Sequence, residues 1–533
     1  MPPAQVDITT QTPVEVDVLH ATKLHSLKSS STTSAARIPS SLTNAITNNN
    51  AKAQVATAAE GFLKPAASPK RRLGHERKKS DVKKEEEKLD VRKLAIRSAG
   101  GDCNRPGLNG LLGNGVEGLS SGVFKVAAVM PVQYDVEIVN GILEFENKTL
   151  LRAVDTTAFP TQLNSNVYIS AQNGKKPRRF LAVDSNILTL YGEKIRKYFD
   201  HHQIDTHIYP VIPDEFNKDH SQIISLCASL QAFNLDRRSE PIIAIGGGVT
   251  LDLVGLAANL YRRNTPVIKL PTTLIGMVDA AVGVKTACNL NGGKNKIGTY
   301  SAPLAVFVDA AFLGTLPGRH VRNGAAEVLK MACVKDGQLF ELLEGFVERG
   351  GADGEGFEGK GAQMIMRRAI QGMLEELEPN LWEFNLRRIV DYGHTFSPVL
   401  EMCALESHSG PISDTTTPGP FEGGFLLHGE AVCVDMAFTT VVAKRRGYLS
   451  EEEARRTLRL MRGLGLNVWH RDLTGSLCKK ALIDTTACRG GFQRTPLMDG
   501  IGRARFVDDL TLEELEEGLK ELEEFARRDF EGC

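Results

Sequence analysis

The sequence predicts an α/β domain followed by an all-helical domain, with a disordered extension in front of both. Three observations carry this reading. Between about residues 131 and 315, short apolar runs alternate with helical periodicity, the pattern of parallel strands joined by crossover helices. From 316 to 533 the periodicity is helical almost throughout. Residues 1 to about 125 differ from both: 20–70 is rich in Ser, Thr, Ala and Asn, and "KRRLGHERKKSDVKKEEEKLDVRK" has few apolar side chains. Such a segment buries too little surface to offset its ordering entropy, so disorder is expected there. The expected divisions are therefore 1–125, 131–315 and 316–533.

Taken in order, "YDVEIV" alternates like a strand. "RRFLAVDS" is a strand ending in polar residues, and "LTLYGEKIRKYFDHH" follows as an amphipathic helix. "PIIAIGGG" is a buried run broken by glycines, and "LDLVGLAANLYRR" continues as a helix. "PVIKLPTT" and "LAVFVD" are two more buried strands. Two loops interrupt the helical half, the Gly-rich 350–361 and "ESHSGPISDTTTPGPFEGG" at 406–424. "TLEELEEGLKELEEFARR" closes the chain as a helix with Thr511 as its cap.

Composition narrows the function classes. Hydrophobic residues make up 42% of the chain, enough for real cores, and the net charge of −1 gives no general attraction to nucleic acid or membrane. The basic clusters Lys70–Arg72 and Arg77–Lys79 read as a solvated tail, with a localisation or polyanion patch as the alternative. Nine cysteines, odd in number and without a CxxC pair, fit a reduced compartment such as the cytoplasm. No run of about 18 apolar residues and no secretory leader is evident.

The chemistry concentrates in a few stretches. "IIAIGGGVTLDLVGLAA" places three glycines between strand and helix, where backbone N–H groups can meet a pyrophosphate; a structural glycine turn accounts for it equally well. Asp252 is either a helix cap or a ligand to a cofactor hydroxyl. Asp184 and Asn186 close an earlier strand, where α/β ligands bind, although a loop cap explains them too. In "PTTLIGMVDAAVGVKTACNLNGGKNKIGTY", Lys285, Lys294 and Lys296 lie among small residues, and Asp279 is the only acid. That grouping suits a phosphorylated substrate, with a basic surface loop as the alternative. Glu327 is a carboxylate in an otherwise apolar helix, and Lys330 shares its face. His394 follows Arg387 and Asp391 at helical spacing, and His428 opens an apolar helix. One Glu and two His would leave a metal with open positions, as in catalytic zinc sites; single histidines at helix starts are also commonly structural.

The motifs "GGGVTLD", "PTTLIGMVDAAVGVKT", "GKNKIGTY", "NGAAEVLKM", "DYGHTFSP" and "LLHGEAV" occur in this order in the sugar phosphate cyclases, the family of 3-dehydroquinate synthase, and the chain resembles that family over roughly 131–510. The resemblance implies a dehydroquinate synthase-like fold, with an N-terminal NAD-binding α/β domain, a C-terminal helical metal-binding domain and the active site between them. It implies zinc, or cobalt in its place, on Glu327, His394 and His428. It implies NAD at Asp184, Asn186, Glu215, Lys218, Gly247, Gly248, Val249, Asp252, Thr272, Thr273 and Thr315. It implies a sugar phosphate substrate met by Arg263, Asp279, Lys294 and Asn295, catalytic roles for Lys285, Lys330, Arg387 and Asp391, and a homodimer.

Departures from the pattern point to the substrate. Dehydroquinate synthases resemble GHTxGH, but Pro398 stands where the second histidine belongs. Asp391 replaces an Asn, and Met373 aligns with a Lys. Two groups suited to a substrate carboxylate are gone and a carboxylate has appeared. At 4 Å two such charges repel by about 1–4 kcal/mol for effective dielectrics between water and about 20. A substrate without the carboxylate avoids this, so the chain resembles the branch that cyclises sedoheptulose 7-phosphate. "YRRNTP", "EPNLWE" and "LLHGEAVCVDMA" place it nearest the 2-epi-5-epi-valiolone synthases, with demethyl-4-deoxygadusol synthases as the neighbouring alternative. In "TTACRGGFQRTPL" a histidine is expected near Cys488 and is missing. Two rivals from other classes are a polyol dehydrogenase, which shares the strand–GGG–helix layout but needs no lysine cluster, and an inactive relative that binds partners through its basic tail.

Overall fold

The structure is a computed structural model that describes residues 130–531 except 158–160, 172–174, 292, 352–355, 358, 408–416 and 418. The expected extension 1–125 with its basic clusters, and parts of both expected loops, lie outside the described residues.

The first half is built on six parallel strands. After β1 (Asp135–Ile138) and a hairpin of β2 (Arg152–Asp155) and β3 (Gln162–Tyr168) come β4 (Arg178–Asp184), α1 (Ser185–His201), β5 (Asp205–Val211), α2 (His220–Phe233), β6 (Ile242–Gly246), α3 (Gly248–Leu260) and β7 (Val267–Pro271). A π-helical turn, Gly276–Ala280, leads into a second hairpin, β8 (Lys285–Leu290) and β9 (Gly293–Tyr300), and then β10 (Ala305–Val308). The sheet order is β1-β10-β7-β6-β4-β5, parallel throughout. β6, β7 and β10 are buried at every residue, which explains sequences that are apolar throughout in β6 and β10 and apolar but for Lys269 in β7. From β4 the chain steps outward to β5, then returns to β6 on the other side. This reversal opens a crevice beyond the carboxyl ends of β4 and β6, the place where open α/β sheets bind ligands.

The second half holds α4 (Gly318–Val334), α5 (Gly337–Glu348), α6 (Lys360–Leu377), α7 (Ser397–Ser407), α8 (His428–Arg445), α9 (Glu451–Gly463) and α10 (Gly475–Cys488), then a hairpin of β11 (Thr495–Met498) and β12 (Ala504–Val507), and α11 (Leu512–Glu531). The hairpins β8–β9 and β11–β12 are structure where the sequence suggested basic loop and continuous helix. The cap on α11 is as expected, with Glu514 N–H donating to Thr511 Oγ1 at 3.2 Å. No helix among the described residues is long and apolar enough to cross a membrane.

The α4 helix is the seam. On one side a Cβ at Gly324 would lie 2.6 Å from Ile275 N and 2.5 Å from Leu274 Cβ, so its backbone touches the segment after β7. On the other, Gly429 N–H donates to Asn323 Oδ1 at 2.6 Å, and a Cβ at Gly429 would fall 1.9 Å from the Asn323 carbonyl oxygen. Beside that contact Arg319 and Glu430, both buried, form a two-pronged ion pair at 2.8 and 2.7 Å. Such a pair adds little net stability but penalises any other register of α4 against α8.

Lys269, in the middle of β7, is 1% exposed. Its ammonium group donates to the carbonyls of Gly283 (3.1 Å) and Ala280 (3.4 Å), which fixes the segment between Asp279 and Lys285. Burial brings its pKa down to about 8, against the opposing pull of Asp252. The folded state therefore binds fewer protons than the unfolded chain between pH 8 and the ordinary lysine value, and this group's contribution to stability grows as pH rises through that window. Chemical denaturation of wild type and Lys269→Met at pH 7.5 and pH 10.5 should show the difference moving in favour of wild type by on the order of 3 kcal/mol. A difference independent of pH would contradict a buried, titrating ammonium.

Candidate active site

Three side chains from separate elements of the helical half converge. Glu327 comes from the middle of α4, His428 from the first residue of α8, and His394 from the turn before α7. One donor atom from each lies within 4.8 Å of the others. His428 Nε2 is 3.5 Å and His394 Nε2 4.0 Å from Glu327 Oε1.

The turn that carries His394 is held by α8. Gly393 adopts φ +73°, and a Cβ there would meet Met436 Cγ at 2.7 Å, so glycine is required on both counts. Tyr392 Oη is 3.0 Å from Thr440 Oγ1. Asp435 Oδ2 accepts the N–H groups of Phe396 (2.5 Å) and Ser397 (2.8 Å) at the start of α7. Pro398 fits the first turn of α7, where its missing N–H is not needed.

The outer nitrogens of both imidazoles are occupied. His394 Nδ1 donates to the Tyr392 carbonyl at 3.0 Å, and His428 Nδ1 donates to Glu401 Oε2 at 3.0 Å. That leaves both Nε2 atoms facing the Glu327 carboxylate. Both oxygens of Glu327 are buried without a hydrogen-bond donor of good geometry among the described residues, although Lys330 Nζ lies 2.5 Å from Oε2. Burial would raise the Glu327 pKa, but the Lys330 charge together with the two histidines outweighs it and holds this carboxyl well below its usual range. Burial brings His394 down to about 3, keeping it neutral. Burial also opposes charge on His428, yet the Glu401 carboxylate pushes it up to about 9, a measure of how strongly this point favours positive charge. One carboxylate and two oriented imidazoles around an unfilled acceptor fit a zinc-type ion with open positions.

His394 and His428 border a cavity of about 1100 Å³ between sheet and helices, and Glu327 lies buried behind them. At the sheet end it is lined by Asp184, Asn186, Gly247, Gly248, Val249, Thr272, Thr273 and Thr315, with Glu215, Lys218 and Asp252 beside them. Asp184 also caps α1, accepting Asn186 N–H at 2.8 Å, as its loop-cap reading expects. A Cβ on Gly246 would lie 2.7 Å from Thr250 Cβ and 2.9 Å from Asp184 Cβ, so glycine is needed for β6 to pack this closely against α3 and the end of β4. Asp252 is not a cap: Lys218 reaches both it and Asn295 Oδ1 at 2.7 Å.

At the helical end, Asp279, Lys285, Lys294, Asn295, Lys330 and Asp391 line the cavity, as does Met373. The lysines are not free. Lys285 pairs with Glu383 (2.6 Å), Lys294 with Glu401, and Lys330 with Glu327 and Asp279 (3.6 Å). Sequence reading saw one acid in that stretch; the partners come from distant stretches. Besides the buried Glu327, two expected residues stand apart from the cavity lining. Arg263 sits in a left-handed turn after α3 (φ +60°). Arg387 is 58% exposed and pairs with Asp508 at 3.3 Å. Its neighbour Arg388 lines the cavity instead, bridging Glu383 and Asp391. The reason is backbone: Arg388 is extended (φ −125°, ψ 121°) and only a 3-10 turn, Ile389–Asp391, follows, so the helical spacing assumed for Arg387 and Asp391 is absent. Burial would raise the Asp391 pKa, but Arg388 outweighs it and keeps the group ionised. Near Cys488, where a histidine was expected, Arg489 is buried and lies 3.7 Å from Asp391.

Glu383, Arg388, Glu401 and Arg489 were missed by sequence reading. Glu401 carried a usable signal, an acid in the apolar run "PVLEMCAL", the same anomaly that marked Glu327.

Residues 208–323 match the family model described as 3-dehydroquinate synthase N-terminal, and 324–485 match 3-dehydroquinate synthase C-terminal. A 2-epi-5-epi-valiolone synthase from Actinomyces sp is 43% identical over 408 residues, covering 75% of this chain and 98% of that one. A demethyl-4-deoxygadusol synthase from Trichormus variabilis is 35% identical over 412 residues, covering 76% and 90%. Among solved structures, the 2-epi-5-epi-valiolone synthase ValA of Streptomyces hygroscopicus subsp. jinggangensis 5008, with NAD+ and Zn2+ bound, aligns with TM-score 0.65 at 41% identity, covering 75% of this chain and all of that one.

Metal analysis after dialysis should find about one equivalent of zinc or cobalt per chain, and Glu327→Gln should weaken retention by roughly 100-fold or more, beyond the 10–100-fold that loss of an outer partner brings. Full retention by that variant would rule out this ligand set.

Proposed function

The chain belongs to the 3-dehydroquinate synthase family, and on that premise we propose that it is a sugar phosphate cyclase that converts sedoheptulose 7-phosphate to 2-epi-5-epi-valiolone with loss of phosphate. The observation that carries the substrate choice is Asp391. It is ionised, lies in the cavity wall, and takes up the charge of Arg388 and Arg489. Among the described residues the two guanidiniums beside it, Arg388 and Arg489, already face this carboxylate, and a carboxylate that only accepts hydrogen bonds suits a hydroxymethyl ketone with hydroxyls to donate. The presence of Met373 and Pro398, neither of which can bind an anion, supports the same choice.

When bound, NAD would supply reversible hydride acceptance with no net redox change, and a zinc or cobalt ion would supply Lewis acidity toward substrate oxygens. Glu327, His394 and His428 would hold the ion. Asp184, Asn186, Glu215, Lys218, Gly247, Gly248, Val249, Asp252, Thr272, Thr273 and Thr315 would hold the dinucleotide in the crevice beyond β4 and β6. Lys285 and Lys330 would neutralise charge developing on the leaving phosphate and on the enolate that follows. Lys294 and Asn295 would hold the phosphate in the ground state, and Asp279 would keep Lys330 aimed at the cavity. Arg388 takes the role expected for Arg387, since it is the guanidinium on the cavity wall. Confining both reacting ends of one chain of carbons in the cavity favours the intramolecular aldol closure. The described cysteines are all free thiols, which supports a reducing, cytoplasmic setting, and the family supports a homodimer.

Protein supplied with NAD+ and zinc should release phosphate from sedoheptulose 7-phosphate without net growth of NADH absorbance, and NMR should identify the valiolone. Asp391→Asn should lower kcat/KM for this sugar by about 10-fold or more, the size of one hydrogen bond to a charged group. Phosphate release from the linear precursor of 3-dehydroquinate, with none from the heptulose, would overturn the assignment; steady NADH accumulation from a polyol would favour a dehydrogenase.

A further inference from the structure

We propose that Glu401 is a positioning residue that couples the anion subsite at Lys294 to the cation point formed by Glu327, His394 and His428. This rests on the reading of Lys294 as a phosphate-binding lysine. Glu401 sits on the second turn of α7 and is 7% exposed. Both of its oxygens are committed: Oε2 accepts His428 Nδ1–H at 3.0 Å, and Oε1 pairs with the Lys294 ammonium. Lys294 belongs to β9 and His428 to α8, so one carboxylate links a side chain of the sheet half to a side chain of the helical half across the cavity. Lys294 lines that cavity and its side chain keeps 19% exposure, so an incoming anion can reach it.

The direction of the coupling follows from charge. While Lys294 is paired only with Glu401, the ammonium neutralises much of that carboxylate. A phosphate beside Lys294 draws the ammonium's field to itself. More of the Glu401 charge then acts on the Nδ1–H of His428, and the opposite nitrogen becomes a stronger electron-pair donor to a cation. Anion binding thus tightens cation binding, and by reciprocity cation binding tightens anion binding by the same factor.

The test uses full-length protein titrated with cobalt(II), read by the visible d–d absorption of the bound ion, with and without inorganic phosphate. Glu401→Gln and Lys294→Gln are compared with wild type, and the melting midpoint of each metal-free protein checks that it is folded. The wild type should bind cobalt about fivefold or more tightly in phosphate. Glu401→Gln should weaken cobalt binding about tenfold, shift the d–d bands and reduce the phosphate effect to less than twofold. Lys294→Gln should also abolish the phosphate effect. A wild-type cobalt affinity indifferent to phosphate overturns the coupling, as does a phosphate effect that persists in Glu401→Gln, which would mean phosphate touches the metal directly. Failure of the underlying reading looks different: calorimetry would then show phosphate binding equally well to wild type and Lys294→Gln.

Discussion

The structure depends on one expensive placement, an ionised carboxylate with no exposure at the centre of its longest seam. Glu327 sits where α4 touches the sheet half through Gly324 and the α8 helix through Asn323, and no water can reach it. A buried charge of this kind persists only if opposite charge is built around it. Lys330 one turn along supplies part, and the two imidazoles define a point where a dication supplies the rest. The close glycine contacts of α4, the Arg319–Glu430 pair and the anchoring of the His394 turn by Asp435 all hold these groups at bonding distance. Loosening any of them would expose the carboxylate to water and remove the reason for the cation to bind.

The same principle extends outward as a mosaic. Each cavity lysine is matched by a carboxylate: Lys218 by Asp252, Lys285 by Glu383, Lys294 by Glu401, Lys330 by Glu327 and Asp279. A substrate anion entering such a cavity does not meet bare positive charge. It competes with internal carboxylates, and those it displaces must find other donors. This makes the cavity selective, since only an anion of the right charge and placement recovers what the internal pairs give up. Asp391, held between two guanidiniums, is the clearest case of a position where a second carboxylate has nothing to gain.

Much of this was legible in the residues, and the failures have physical causes. The apolar runs of β6, β10 and, but for Lys269, β7 read correctly because full burial leaves no polar alternation. Glu327 was visible because an acid in an apolar helix is an anomaly. The β8–β9 hairpin was not visible, since Thr, Cys, Asn, Gly and Lys in a half-exposed ribbon carry no clear period. Arg387 was misplaced because "RRIVD" offers two adjacent arginines, and only the extended backbone at Arg388 decides which one faces the cavity. Glu383 and Glu401, the partners of Lys285 and Lys294, were missed because such contacts are made by the fold, and no local spacing records them. How far Glu327, His394 and His428 converge was in the same class: each was suspect alone, but their meeting is a property of three elements packed together.

All three metal donors belong to the helical half, and the last of them is residue 428. As the polypeptide leaves the ribosome, the parallel sheet through β10 is complete before His394 or His428 has been synthesised. The sheet half thus contains none of these candidate ligands, and an ion bound there would act directly on the packing of the helical half alone. Without the ion the crevice beyond β4 and β6 would keep its lining, while Glu327 would be left with the Lys330 ammonium as the full positive charge beside it.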